Sequence, residues 1–271
     1  MGIKAAVKNN AFLSRLAYGY INRKVAKEQY RNNKDEMLKI EQLKDSHKGE
    51  RCFVIGTGPS LTTSDLELIS NEVSFATNRI YELFDKTDWR PTYYINQDHT
   101  LIKEFSDEIK KVNSKFVFLP VYYRKEFSGD KYRFFVLKHK EFYPKPAPFS
   151  FDISKYLAQG FTVTYGAIQI AAYMGFSEIY LLGIDHNYNI IRDANGNPVK
   201  QENGGANYSK GMKEYIDIKN LPRIEETTIA YETAEKVSRN SDFRIYNCTR
   251  GGKLEAFERR ELEEVLEENH K

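Results

Sequence analysis

The chain has 271 residues, of which 41% are hydrophobic, and its 41 basic and 38 acidic side chains leave a formal net charge of +3. This length can bury a large core, and so balanced a charge argues against nucleic acid as a partner. No apolar stretch approaches the ~20 residues that a membrane-spanning helix needs, and nothing resembles a signal peptide. We therefore expect a cytoplasmic protein whose two cysteines, Cys52 and Cys248, are small core residues rather than a disulfide.

Residues 1–48 are interpreted as a basic helical extension, separate from an α/β catalytic domain over residues 49–271. Leu13, Leu16 and Tyr20 fall at helical spacing and predict an apolar stripe between basic flanks. Such a helix would suit the anionic cytoplasmic face of a membrane, contacted through residues 1–34. It would equally suit docking on its own domain or on a second copy in a homo-oligomer, and periodicity does not separate these alternatives.

From residue 49 onwards, short apolar runs alternate with helical patterns. Strands are predicted at residues 52–55, 73–76, 92–95, 115–119, 178–183 and 243–248. Helices are predicted around residues 66–69, 101–112, 167–174, 224–237 and 258–268, with irregular stretches at 121–161 and 189–222. Because the strands are continuously apolar, we predict a Rossmann-like parallel sheet with helices on both faces, in which the irregular stretches serve as mobile or binding loops.

Polar residues follow each of four apolar strands at its carboxyl end. They are residues 56–58, 77–78, 96–98 and 185–188. Ligands bind beyond the carboxyl ends of the strands in an open parallel sheet, so this convergence predicts a binding site. The asparagines suit it, because a neutral amide both donates to and accepts from ribose, base or sugar groups.

The first of these ends has the sequence Gly-Thr-Gly-Pro-Ser over residues 56–60. Gly56 and Gly58 allow a sharp turn and a close approach to a ligand. A strand, a glycine turn and a helix start predict free amides that face the phosphates of a nucleotide. The stretch is not a full dinucleotide fingerprint, because Leu61 replaces the third glycine, and no Gly-Lys-Ser/Thr follows to make a P-loop.

Each candidate residue also has a structural interpretation. Asn78 and Asn96 would serve as helix or turn caps, and Asp185 would cap a turn or pair with a cation instead of taking part in catalysis. His186 is our candidate for proton transfer, with His99 as the rival base.

Two basic residues outside the strand ends complete the candidates. Arg250 is interpreted either as binding a phosphate or as binding a helix end, and His139, in a charged stretch, is predicted to be solvated. The sequence carries no Cys/His cluster typical of zinc and no Gly-x-Ser-x-Gly typical of hydrolases.

Four motifs resemble one group of enzymes. They are VIGTGPSL at residues 54–61, ATNRIY at 76–81, YYIN at 93–96 and TYGAIQIAAYMGFSEIYLLGID at 164–185. In these the chain resembles the bacterial lipooligosaccharide sialyltransferases, and a broader superfamily that includes archaeal 6-hydroxymethylpterin diphosphokinases. The resemblance covers residues 51–188 well and the rest loosely.

The resemblance implies a CMP-sugar donor held at the strand ends. By position, the nucleotide turn would consist of Gly56, Thr57, Gly58, Pro59 and Ser60. The donor would be contacted by Asn78, Asn96 and Asp98, and from the helix start by Thr164, Tyr165 and Gly166. Tyr188 is offset by one from a tyrosine that supports the leaving phosphate in those enzymes.

The implied reaction transfers the sugar to a cell-surface glycan with inversion, without a metal and with no cofactor beyond the donor. Its catalytic residues here would be His186 as the base, together with Asp185 and Tyr188. Thr57 replaces the family's asparagine, Tyr165 replaces its serine, and residues 187–269 lack its later histidine. These departures point away from sialic acid as the sugar.

Two other functions remain open. One is pyrophosphoryl transfer from ATP, as in the pterin diphosphokinases, for which Asp98 and Asp185 would have to hold magnesium. The other is a non-catalytic scaffold in polysaccharide assembly.

Overall fold

The computed structural model describes residues 11–192, 197–200, 206–215 and 221–268. Its strands are β1 (Arg51–Ile55), β2 (Ser74–Thr77), β3 (Tyr93–Ile95), β4 (Phe116–Pro120), β5 (Tyr132–Phe135), β6 (Leu137–Lys138), β7 (Leu157–Ala158), β8 (Glu178–Leu182), β9 (Ile190–Arg192), β10 (Pro198–Lys200), β11 (Arg244–Asn247) and β12 (Glu258–Arg259). Eight of them form one sheet in the order β12-β11-β8-β1-β2-β3-β4-β5, and every neighbouring pair is parallel. The predicted Rossmann-like α/β fold is confirmed.

The helices are α1 (Ala11–Asn32), α2 (Lys34–Glu41), α3 (Thr63–Leu68), α4 (His99–Glu104), α5 (Ser106–Lys111), α6 (Val163–Tyr173), α7 (Ile224–Arg239) and α8 (Leu262–Glu267). Short 3-10 turns cover Ile80–Leu83 and Val121–Tyr123. The single helix predicted over residues 101–112 is divided at Phe105, which takes a non-helical backbone conformation and packs its ring 5.1 Å from the Arg79 guanidinium. No helix in the described ranges is long and apolar enough to cross a membrane.

The core lies on both faces of the central strands. Residues 52–55 of β1 are fully buried, which explains their continuous apolar sequence. Both thiols are free and buried, as predicted for Cys52 and Cys248. Ala26 of α1 and Met37 and Ile40 of α2 belong to the same core, so the second half of the stretch interpreted as a separate extension packs on the main domain.

Three stretches differ from the prediction. The range 121–161 is not irregular throughout, because it contains β5, β6 and β7, and the range 189–222 contains β9 and β10. The predicted terminal helix begins only at Leu262, after strand β12. In β5 the apolar run is interrupted by Arg133, whose guanidinium lies 3.8 Å from the Phe116 ring centre. Because of this interruption, the apolar pattern does not predict the strand at the edge of the sheet.

Candidate active site

A cleft of about 450 Å³ opens at the carboxyl ends of the central strands. We call it the strand-end cleft. Its floor consists of the ends of β8, β1, β2 and β3, as the sequence predicted for the location of the site. Ten predicted site residues line it: Gly56, Thr57, Gly58, Pro59, Asn78, Asp98, Thr164, Asp185, His186 and Tyr188. The other four predicted site residues do not line the cleft: Ser60, Asn96, Tyr165 and Gly166.

The glycine turn after β1 packs against the end of β8. The amide of Gly56 donates to Leu182 O (2.8 Å) and that of Gly58 to Gly183 O (2.9 Å), so these two amides are not free to bind a phosphate. A Cβ on Gly58 would lie 2.0 Å from Asp185 Oδ2, and one on Gly56 would lie 2.4 Å from Gly183 O. The glycines are therefore required by the close approach of two strand ends.

The helix after this turn has its own caps. Thr62 and Asp65 form a capping box at the start of α3, and the Arg250 guanidinium donates to both carboxylate oxygens of Asp65 at 2.5 Å. Of the two interpretations of Arg250, the structure therefore supports the helix-end contact. Because Arg250 is paired with Asp65 in this way, its guanidinium is not free to bind a phosphate at the start of α3.

Asp185 lies at the floor of the strand-end cleft and is 8% exposed. Its Oδ2 accepts from Ser60 Oγ at 2.8 Å and from the Ser60 amide at 3.4 Å. Burial raises the pKa of this carboxyl group above its ordinary value, against the opposing effect of the Ser60 hydrogen bonds. Ser60 is thus the residue that orients Asp185, rather than a lining residue.

His186 follows Asp185 in a left-handed conformation (φ +50°). Its Nε2 lies 2.8 Å from Thr228 Oγ1, and that hydroxyl donates its proton to Ile224 O at 2.8 Å. Nε2 must therefore carry the imidazole hydrogen, which leaves Nδ1 as a proton acceptor. Nδ1 is buried without a hydrogen-bond partner in the described part of the chain, and burial lowers the pKa of His186. The imidazole is consequently neutral near pH 7.

Three amide side chains line the cleft with buried oxygens that have no hydrogen-bond partner among the described residues. They are Asn78 Oδ1, Gln97 Oε1 and Asn187 Oδ1. Each such group costs about 1–3 kcal/mol when it is left unpaired, and a ligand hydroxyl or amino group would recover that cost. Because these oxygens are themselves screened from solvent, a ligand rich in hydrogen-bond donors would pair with them once the side chains turn towards the cleft.

Backbone strain is concentrated at the same place. Four non-glycine residues have positive φ angles in the described ranges, and three of them line the cleft: Asn78 (+49°), Phe161 (+57°) and His186 (+50°). Strained residues cluster at functional sites, because a well-packed surrounding structure has to hold them there. This observation supports a ligand site independently of the amides.

The start of α6 also opens onto the cleft through Thr162, Val163 and Thr164. Thr162 is its N-cap and accepts from the Thr164 amide at 3.3 Å. An α-helix carries about half a positive charge at this end. Tyr165 points the other way, since it is fully buried and donates to Pro148 O at 2.9 Å. A bulky Tyr165 therefore packs in the core and does not reshape the cleft.

Gly166, Asn96 and Asp98 have structural partners that explain their positions. A Cβ on Gly166 would lie 3.0 Å from Gln97 Oε1, so this glycine allows α6 to approach β3. Asn96 is fully buried, and its Oδ1 accepts from the Asp98 amide at 2.9 Å, which makes it a turn cap. Asp98 caps α4, and its Oδ1 accepts from the amides of Thr100 and Leu101.

Residues 206–215, here named the covering segment, lie over the glycine turn. The Ser209 amide donates to Thr57 O at 2.9 Å, and Ser209 Oγ donates to Leu61 O at 2.7 Å. The Arg79 guanidinium, 2% exposed, lies 5.2 Å from the Tyr208 ring centre and 5.0 Å from that of Tyr215. Tyr208 and Tyr215 both line the cleft, so part of the predicted mobile loop is fixed to its wall.

The opposite end of the cleft is formed by His139, Gln159, Phe161 and Arg223. His139 Nδ1 lies 2.7 Å from Gln159 Oε1, so this histidine is part of the cleft wall and not simply solvated. Arg223 stacks 3.9 Å from the Phe161 ring centre and pairs with Glu141 and Glu226. Its two carboxylate partners leave it poorly suited to bind an anion.

A comparison with known protein families gives a match over residues 27–190, to the family described as 6-hydroxymethylpterin diphosphokinase MptE-like. This match covers more than half of the chain. The chain belongs to the MptE-like family. Among curated proteins, no sequence matches it.

Among solved structures, the fold of this MptE-like chain is similar to that of the MAf glycosyltransferase from Magnetospirillum magneticum AMB-1, with 16% sequence identity and a TM-score of 0.50. The similarity covers 84% of the MptE-like chain but only 38% of the glycosyltransferase chain. The suspected superfamily is thus confirmed at the level of family and fold.

The family description raises the question of a magnesium site in this MptE-like chain. No group of three or more His, Cys, Asp or Glu residues gathers in the described ranges. β1 and β2 lie between β8 and β3, so at about 4.8 Å per strand the ends that carry Asp185 and Asp98 are about 14 Å apart. Ligands of one magnesium ion lie only about 2.1 Å from it, so this pair does not fit a shared ion.

Sequence reasoning missed several cleft residues, among them Gln97, Phe161, Arg223 and Tyr208. Gln97 stood within a polar strand end and was passed over for its neighbours Asn96 and Asp98. Phe161 and Arg223 carry no local signal, because their pairing joins the start of α6 to the start of α7.

Proposed function

We propose that this MptE-like chain is a transferase that moves a sugar from a CMP-type donor to a cell-surface glycan. The observation that carries the proposal is the set of unpartnered amide oxygens on Asn78, Gln97 and Asn187. Ribose and sugar rings present several hydroxyl donors, which these acceptors would satisfy. The transfer is proposed to need no metal, because the cleft carboxylates do not converge on one point.

The donor phosphate would lie at the start of α6. That helix end supplies partial positive charge, and the Thr162 and Thr164 side chains lie beside it. The ribose and sugar hydroxyls would then face Asn78 and Gln97. In this arrangement the glycine turn shapes the floor, and the phosphate is held by the helix.

His186 would act as the general base. Thr228 holds Nε2 as the protonated nitrogen, so Nδ1 can accept the proton of an acceptor hydroxyl after a small rotation of the ring. The acceptor oxygen forms its bond to the anomeric carbon as the bond from that carbon to the phosphate oxygen breaks, which inverts the centre. The CMP leaving group takes the electron pair, and the Tyr188 hydroxyl would stabilise it. Burial raises the pKa of Tyr188, so its hydroxyl stays protonated and can donate a hydrogen bond to the leaving phosphate.

Pyrophosphoryl transfer from ATP is the second candidate, and the family match favours it. Its weakness is the distance between the ends that carry Asp98 and Asp185. Magnesium bound only by substrate phosphates would be needed, and the cleft offers no unpaired arginine to support them within the described residues.

Turnover separates the two functions. The purified chain is incubated with a panel of nucleotide sugars, with and without glycan acceptors, and release of the nucleotide is followed. In parallel it is incubated with ATP, magnesium and a hydroxymethylpterin, and formation of AMP is followed. We expect CMP release that persists in a chelator. Magnesium-dependent AMP formation alone would establish the diphosphokinase function instead, and no reaction with either set would favour a scaffold.

A further inference from the structure

Helix α1 presents large apolar side chains to solvent near its middle. Tyr20 is 70% exposed, Ile21 is 56% exposed and Val25 is 43% exposed, although each would be more stable when covered. Ala26 on the same helix is buried, so α1 packs on the domain through another face. It contacts α2 and β6 and leaves the Tyr20–Val25 side outside.

Cations surround this exposed apolar surface. Arg23, Lys24 and Lys27 are exposed on α1 itself, while Lys138 on β6 lies close enough to both Arg23 and Lys140 to be affected by their charges. None of these five pairs with a carboxylate in the described ranges, and the one cation–ring contact that they make there is that of Lys138 Nζ, which lies 4.0 Å from the Tyr156 ring centre. Burial lowers the pKa of Lys138 first, and the charges of Arg23 and Lys140 lower it further. Such unpaired charge close together is unfavourable unless an anionic partner neutralises it.

We propose that α1, together with Lys138 and Lys140, is a docking surface for the anionic surface of a phospholipid bilayer. Aliphatic and tyrosine side chains between cations match the boundary between acyl chains and acidic headgroups. A second copy of the chain is a poorer partner, because a symmetric dimer would bring the same unpaired cations together. Nucleic acid would leave Ile21 and Val25 uncovered.

The docking surface lies next to one end of the strand-end cleft in the chain. His139, which lines the strand-end cleft, lies between Lys138 and Lys140 in the chain. Docking would therefore bring the His139 end of the cleft towards the bilayer, where a lipid-linked acceptor could enter. The docking itself does not depend on the proposed transfer reaction.

The full chain is tested by co-sedimentation with vesicles of phosphatidylcholine mixed with phosphatidylglycerol, and with vesicles of phosphatidylcholine alone. We expect binding to the mixed vesicles that weakens with salt. The double variant Lys138→Glu with Lys140→Glu should weaken it at least about ten-fold, and Ile21→Gln with Val25→Gln should do the same while keeping the helix. Circular dichroism checks that each variant remains folded.

The matched control is Lys111→Glu with Lys236→Glu, two exposed lysines on α5 and α7, and it should bind as the wild type does. Equal loss in this control would mean that only net charge matters and would overturn the proposal. So would binding that both test variants retain, or no binding to the mixed vesicles. A dimer that Ile21→Gln with Val25→Gln dissociates, seen by analytical ultracentrifugation, would assign the surface to a second copy.

Discussion

Replacing Gly58 by alanine tests the close approach between the β1 turn and the end of β8. The added Cβ would lie 2.0 Å from Asp185 Oδ2 and 2.8 Å from Gly183 O, so the carboxylate has to move. Its movement breaks the 2.8 Å hydrogen bond from Ser60 Oγ, and a hydrogen bond to a charged group is worth about 1.5–3 kcal/mol. The overlap with the backbone adds an overpacking cost of about 1–3 kcal/mol. We therefore expect the free energy of unfolding to fall by about 2.5–6 kcal/mol.

Urea unfolding followed by the fluorescence of the single tryptophan, the buried Trp89, measures this change. Gly251→Ala is the control, because nothing lies within 4 Å of its added Cβ and its φ of +65° costs only about 1–2 kcal/mol. In an Asp185→Ala background, Gly58→Ala should cost less, with a coupling energy of about 0.5–3 kcal/mol. An equal cost in both backgrounds would refute the contact.

Three further predictions concern the cleft wall. Asn78→Gly should keep the stability of the fold, because glycine accepts the φ of +49°. Asn78→Ala should lower the free energy of unfolding in urea by about 1 kcal/mol. The pKa of His186 in the folded chain lies below its unfolded value of 6.5. The neutral imidazole therefore contributes stability above pH 6.5, and this contribution is lost as the pH falls from 6.5 towards the folded pKa. His186→Gln should remove this part of the pH dependence of urea unfolding. Arg79→Lys loses the planar stacking on Tyr208 and Tyr215, so limited proteolysis should cut residues 206–215 faster; an unchanged rate would show that the stacking does not hold the segment.

The central sheet and the place of the strand-end cleft could be predicted from the sequence, and for one physical reason. β1 and β8 are buried on both faces, so their residues are continuously apolar and the polar residues that follow mark their ends. Asn78 and His186 were recognised in this way. The edge strand β5 was missed, because Arg133 interrupts its apolar pattern and is shielded by Phe116, a contact that no local pattern indicates.

The hydrogen bonds of the glycine turn could not be predicted for a related reason. The acceptors for the Gly56 and Gly58 amides are carbonyl groups at the end of β8, on Leu182 and Gly183, more than a hundred residues further along the chain. A glycine turn that packs against a second strand has the same local sequence as one that binds phosphate. Only the tertiary contact with Asp185 separates the two.

Isothermal titration calorimetry with CMP tests the central claim, that the strand-end cleft binds a nucleotide through hydrogen bonds to its amide side chains. The account predicts that CMP binds the wild type in the presence of a chelator and binds Asn78→Gly at least about ten-fold more weakly, since an unpaired amide partner is worth about 1–3 kcal/mol. Asn33→Gly, which changes an asparagine on the α1–α2 connection, should bind CMP as the wild type does. No binding of CMP by the folded wild type, or equal binding by Asn78→Gly, would contradict the account.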